Sequence, residues 1–98
     1  MEQRKLGFSG LMISSVGLGT NNFGRRLDYQ STEKVIKTSI DSGVNFIDTA
    51  ELYGQGESER QIGLSIGNLR SSFVIASKVS PWHLSYKSVY EAACKSLE

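Results

Sequence analysis

The feature that most constrains the fold of this chain is a period. Runs of strand-forming residues begin near Ser15, Val44 and Phe73, so 29 residues separate each start from the next, and every interval also holds a helical pattern. The strands are expected over Ser15–Gly19, Val44–Asp48 and Phe73–Val79, the last being rich in β-formers. The first helix is expected over Thr32–Ser42, with Val35, Ile36 and Ile40 on one face, Ser31 as N-cap, Glu33 in the first turn and Gly43 just past the end. A second helix is expected from near Glu59, with Ser58 and Gln61 spaced as a capping box and Ile62, Ile66 and Leu69 as its apolar stripe. Gly63 and Gly67 weaken it intrinsically while allowing close approach to a neighbour. A third begins near Ser85 or Ser88 and carries Val89, Ala93 and Leu97 four apart. Parallel strands need a crossover of a dozen or more residues between them. Three strand–helix repeats therefore read as βαβ units on a parallel sheet. Ahead of them, Arg4–Ser14 reads as a hairpin turning on Gly7, Ser9 and Gly10.

Two architectures use this pattern, the doubly wound sheet and the (β/α)8 barrel. The turn after the first strand helps to choose. Gly17-Leu18-Gly19-Thr20-Asn21-Asn22-Phe23-Gly24 places Asn22 where the third glycine of a dinucleotide fingerprint would stand, and about a dozen residues follow Gly19 before the helix. A tight phosphate-binding turn is not expected there. No P-loop, zinc-ligand spacing or nucleophile elbow occurs, and no metal site is expected.

Composition narrows the function classes. A length of 98 residues holds at most one domain, so residues 1–98 are read as part of a single domain. Eleven Lys plus Arg against ten Asp plus Glu give a net charge of +1 with no basic stripe, which argues against nucleic acid as a partner. The longest apolar run is four residues, Phe73-Val74-Ile75-Ala76, so no membrane span is expected. The opening Met-Glu-Gln-Arg-Lys lacks the apolar core of a signal peptide, and Cys94 is the single cysteine. A reducing, cytoplasmic compartment is the expectation.

The polar residues that stand out lie at the C-terminal ends of strands. Asp48 ends the second strand, Tyr53 follows five residues later, and Lys78 lies at the end of the third. By parity Asp48, Phe46 and Val44 share one face, as do Lys78, Ala76 and Val74. If the two strands are neighbours in matching register, a carboxylate and an ammonium meet on one rim and hold each other charged. A phenol beside that ammonium would have its anion favoured, as a general acid working near neutral pH requires. Taken as residue types alone, the same pair also reads as a plain salt bridge and the tyrosine as packing.

The joint pattern resembles the N-terminal part of the aldo-keto reductase family. It is carried by Leu6-Gly7, Ser9-Gly10-Leu11, Gly17-Leu18-Gly19-Thr20, the run Asp41-Ser42-Gly43-Val44-Asn45-Phe46-Ile47-Asp48-Thr49-Ala50, Tyr53-Gly54-Gln55-Gly56-Glu57-Ser58-Glu59 and Ala76-Ser77-Lys78-Val79. The resemblance implies an α/β fold that is the N-terminal portion of a (β/α)8 TIM barrel, about three βα units plus an N-terminal hairpin. It implies an oxidoreductase that reduces an aldehyde or ketone by hydride transfer from NADPH, with a small carbonyl compound as substrate. Carried over by position, Tyr53 is the general acid, Lys78 the cation beside it and Asp48 the carboxylate that holds Lys78. Gly19, Thr20 and Asn21 match positions that approach the cofactor, and Asp48 lies near its ribose. The family's catalytic histidine ends a fourth strand, and this chain is expected to end before that strand.

The remaining candidates read as ordinary. Arg25 and Arg26 are solvated loop charges that could reach a phosphate or a substrate anion. His83 is an exposed loop residue, Trp82 either walls a substrate pocket or packs on the rim, and Cys94 is a small buried hydrophobe. The inner sheet face, Val16, Leu18, Phe46 and Val74, is expected to lack an opposite wall. Two alternatives stand beside the enzyme: a cofactor-binding regulatory subunit with the same barrel, and an inactive barrel fragment acting as an assembly module. The sequence leaves the oligomeric state open.

Overall fold

A computed structural model describes residues 1–98. Strands β1 (Gln3–Lys5) and β2 (Met12–Ser14) form an antiparallel hairpin whose turn uses Gly7 and Gly10 at positive φ. Strands β3 (Leu18–Gly19), β4 (Phe46–Asp48) and β5 (Val74–Ala76) form a parallel sheet in that order. Helices α1 (Tyr29–Asp41) and α2 (Glu57–Ile66) are the crossovers, and α3 (Tyr86–Ser96) follows β5. The three βα repeats and the parallel sheet are those expected from the 29-residue period. The strands are shorter than expected, because the ladder pairs only two or three residues per strand.

One sheet face is covered. Ile47, fully buried, packs with Ile36 of α1, Ile62 and Ile66 of α2, Phe23 and Phe73 in a single cluster, against which Leu18 and Ile75 also lie. The register pairs Leu18 with Ile47 and Ile47 with Ile75, so all three point at the helices. This corrects the expected inner face: Leu18 does not share it with Phe46. The residues of β3 and the turn before it that face Phe46 and Asp48 are glycines. A Cβ at Gly17 would come 2.8 Å from the Phe46 ring, while one at Gly19 would meet nothing within 4 Å.

Helix boundaries differ from expectation for identifiable reasons. Asp28, not Ser31, caps α1: its carboxylate accepts from the Ser31 N–H at 2.8 Å, and the helix starts one turn earlier. Gly43, at φ +89, follows the C-cap as expected. Ser58 and Gln61 make no capping box. Gly56 caps α2 in the left-handed region, and both polar side chains turn inward. Gly67 ends α2, so Leu69 falls beyond the helix and is exposed. Ser85 caps α3 with a reciprocal Ser88 box, yet only Ala92 of that helix is buried. Val89 and Leu97 are exposed, and Cys94 is exposed rather than buried. No helix is long and apolar enough to cross a membrane.

Asn45 ties the hairpin to the sheet. Its Oδ1 accepts from the Ser14 N–H at 2.6 Å, its Nδ2 donates to the Met12 carbonyl at 3.1 Å, and its N–H donates to Ser14 Oγ at 3.1 Å. The sheet's open end is thereby fixed relative to the strands that carry the polar rim.

Candidate functional site

The C-terminal ends of β3, β4 and β5 form one rim. Asp48 is opposite Ala76 in register, so Lys78, two residues on, keeps the parity that places it on the carboxylate's side. The Lys78 Nζ donates to Asp48 Oδ1 at 2.5 Å and to the Thr49 carbonyl at 2.9 Å. It also stands 5.3 Å from the centroid of the Tyr53 ring. The hydrogen bond to Asp48, foremost, then its charge and the nearby Tyr53 phenol, raise the Lys78 pKa above the ordinary lysine value against an opposing desolvation. The lysine is therefore fully cationic at neutral pH. Both members of the pair remain about half exposed, 51% for Lys78 and 48% for Asp48, so water reaches the site from above.

Tyr53 is held by a strained turn. It opens the 3-10 segment Tyr53–Gly56, in which Gly54 and Gln55 both take positive φ, +61 and +56. Gln55 is the one non-glycine residue of the chain in the left-handed region, a conformation that costs a side-chain-bearing residue about 1–2 kcal/mol. The turn packs onto the loop after β3: a Cβ at Gly24 would come 2.4 Å from Glu57 Cβ, and one at Gly54 would come 3.0 Å from the Phe23 carbonyl. Only glycine fits at either position.

Beneath the rim lies a buried hydroxyl cluster. The Ser58 hydroxyl is 2.8 Å from Thr49 Oγ1 and donates toward Thr20 Oγ1 at 3.1 Å and the Thr20 carbonyl at 3.3 Å. Thr20 in turn donates its hydroxyl to the Asp48 carbonyl at 3.0 Å and its N–H at 3.2 Å. All three side chains are essentially excluded from water. The first turn of α2 is thus bonded to Thr20 after β3 and to the Thr49 hydroxyl after β4, Thr20 in turn holds the Asp48 carbonyl, and the carbonyl of the same Thr49 accepts from Lys78. Nearby, Thr32 Oγ1 donates to Gln61 Oε1 at 2.9 Å, joining α1 to α2. In sequence Ser58 reads as half of a capping box and Thr49 only as part of a motif run, and nothing in their spacing signals this cluster.

The loops after β4 and β5 are joined through Glu51. Its Oε2 accepts from the Ser80 N–H at 2.9 Å, and its Oε1 lies 2.8 Å from His83 Nδ1. The Ser80 N–H chiefly, then His83, hold the Glu51 carboxyl below the ordinary value. His83 is accordingly a half-buried partner of Glu51, not the free loop residue expected. Trp82 is 65% exposed and meets the His83 ring edge-on at 6.1 Å.

Of the sequence candidates, Asp48, Lys78 and Tyr53 come together at one rim. Gly19 lies beside Asp48 in register, with open space where a side chain would project, and Asn21 is exposed just beyond it. Thr20 is turned inward, its hydroxyl committed to Asp48 and Ser58. No group of three or more His, Cys, Asp and Glu side chains could hold a metal ion.

Comparison with known proteins gives the context. The family model described as the aldo/keto reductase family matches residues 15–98. The methylglyoxal reductase YeaE of Escherichia coli is 33% identical over 99% of this chain, and a probable voltage-gated potassium channel subunit beta of Arabidopsis thaliana is 37% identical over 81% of it. The alignments cover 35% and 25% of those two proteins, and the chain spans about a third of the length of the first curated relatives it matches. Among solved structures, the thermostable aldo-keto reductase Tm1743, in complex with the inhibitor epalrestat, superposes with a TM-score of 0.89 at 34% identity, covering 99% of this chain and 38% of that one. An aldo-keto reductase from Klebsiella pneumoniae in complex with NADPH superposes with a TM-score of 0.79 at 36% identity, covering 88% and 31%. The hairpin and three βα units are those of the N-terminal portion of a (β/α)8 barrel.

Proposed function

The chain belongs to the aldo/keto reductase family, and on that premise we propose that the full protein reduces an aldehyde or ketone to an alcohol, with NADPH as hydride donor and Tyr53 as general acid. The observation that carries this reading is the convergence of Tyr53, Lys78 and Asp48 on one strand-end rim, with Lys78 Nζ 2.5 Å from Asp48 and 5.3 Å from the tyrosine ring.

The residues present suit a nicotinamide nucleotide. Gly19 leaves the face beside Asp48 open, where any side chain would project into the space a cofactor needs, and Asn21 offers an exposed amide next to it. When bound, the reduced nicotinamide supplies a hydride. The chain's own residues then have three tasks. The Tyr53 hydroxyl donates a hydrogen bond to the substrate carbonyl oxygen and gives it a proton as negative charge develops there. The Lys78 ammonium stabilises the negative charge that the departing proton leaves on the phenol oxygen. Asp48 and the Thr49 carbonyl fix two of the ammonium's three donors, so the cation is in place before reaction rather than recruited during it. Water at the half-exposed rim returns the proton to Tyr53 after the alcohol forms.

A second reading, a cofactor-binding regulatory subunit, is favoured by the likeness to the Arabidopsis channel subunit. The two differ in turnover. Steady-state oxidation of NADPH by the full protein with 4-nitrobenzaldehyde is expected to be measurable; cofactor binding without turnover would support the regulatory reading instead. A small carbonyl substrate and a cytoplasmic compartment belong to the same proposal.

A further inference from the structure

One charged group beside Tyr53 has no partner. A shallow hollow is lined by Asn21, Gly24 and Arg25 of the loop after β3 and by Leu52, Tyr53, Gly54 and Gln55 of the loop after β4. Arg25 is the only charged residue among its walls, and it makes no ion pair. Glu57, which follows the Tyr53 turn, is committed to Arg60 through two bonds of 2.8 and 2.9 Å, and Asp28 accepts from the Ser31 N–H. The other groove, between α2 and α3, is the opposite in charge: Glu51, Glu57, Glu59 and Glu98 outnumber Arg60 and Lys95 there. An anion near Tyr53 is therefore drawn to the Arg25 side and repelled from the other.

From this we infer that the hollow between Arg25 and Tyr53 is a specificity subsite for a carboxylate on the carbonyl substrate. The inference rests on the reductase reading and adds the substrate class: an aldehyde or ketone carrying a carboxylate away from the reacting carbon. The guanidinium fork donates to both oxygens of a carboxylate, the Asn21 and Gln55 amides offer further donors, and Leu52 supplies an apolar wall for the intervening carbons. Gly24 fixes where Arg25 begins. It is held at φ +75 against Glu57, so the arginine leaves the loop from a defined point beside the Tyr53 turn.

The test compares 4-carboxybenzaldehyde with 4-nitrobenzaldehyde in the full protein and in Arg25→Gln. The variant is expected to lose about three- to tenfold in kcat/KM for the carboxylate substrate, the range for a partly exposed ionic contact. Turnover of the nitro compound and the KM for NADPH should be unchanged. Arg25→Lys, which keeps the charge but loses the fork, should fall between, and the preference should shrink as ionic strength rises. An equal loss on both aldehydes, or no loss on either, overturns the subsite. A raised KM for NADPH with no change in aldehyde preference assigns Arg25 to a cofactor phosphate and also overturns it. If neither aldehyde turns over in the parent protein, the reductase reading fails by itself. Calorimetric titration with benzoate then decides the subsite separately: binding that weakens in Arg25→Gln sustains it, and equal or absent binding in both proteins defeats it.

Discussion

Lys78 and Asp48, thirty residues apart and on neighbouring parallel strands, meet at 2.5 Å because β4 and β5 pair Asp48 with Ala76 and the pleat returns the side chain two residues later to the same face. The register of two short strands thus sets the position of the one ammonium beside Tyr53.

The first prediction follows from that pair. Asp48 raises the Lys78 pKa, so the pair is intact below the unfolded lysine value of about 10.4 and is lost as pH rises through the higher folded value. Asp48→Asn removes the principal cause of the shift. The alkaline limb of the pH–rate profile should move to lower pH, with the reduction rate depressed throughout the neutral range. Because both groups are half exposed, the stability cost should stay below about 1 kcal/mol. An alkaline limb unchanged in the variant would separate Lys78 from the chemistry.

Ser58 should matter more for stability than for charge. Ser58→Ala leaves the buried Thr49 hydroxyl and the Thr20 carbonyl each short of a partner in a site that water does not reach. Denaturant unfolding should show a loss of about 1–3 kcal/mol. A neutral result would mean that the hydroxyls rearrange among themselves.

Glu51 gives a pH dependence of the opposite sense. Its carboxyl is held below the ordinary 4.5, so its contribution is present above that value and fades as pH falls through the folded one. Glu51→Gln should lower stability by about 1.5–3 kcal/mol at neutral pH, the scale of a hydrogen bond to a charged group. The gap between variant and parent should narrow as pH falls below the ordinary carboxyl value and the folded carboxyl takes up its proton. A gap independent of pH would show that Glu51 acts by packing.

The repeat and the rim were legible in the sequence for a physical reason. Strand parity and helix periodicity are local, and they place Asp48 and Lys78 at neighbouring strand ends, with Tyr53 in the loop after Asp48, without knowledge of the rest. What was not legible depended on partners far along the chain. The Ser58 and Gln61 side chains looked like a capping box from their spacing, but Ser58 instead meets Thr20 and Thr49, and Gln61 meets Thr32. Leu18 is expected on one face with Phe46, but within-strand parity does not fix how two strands align, and the pairing with Ile47 puts it under the helices. His83 gained a partner, Glu51, from a different loop. The apolar spacing of α3 suggested a buried stripe at Val89 and Leu97, but no element covers those residues here and Ala92 alone is buried.

The central claim is that Tyr53 gives the proton, and Tyr53→Phe tests it most directly because it removes one oxygen and keeps the ring beneath Lys78. Turnover of 4-nitrobenzaldehyde and NADPH affinity should be measured on the same preparation of the full protein. We predict a loss of at least about a hundredfold in kcat, the lower end for removing a general acid, with the dissociation constant for NADPH essentially unchanged. A variant that retains parental turnover would contradict the assignment of Tyr53, and with it the role given to the Lys78–Asp48 pair.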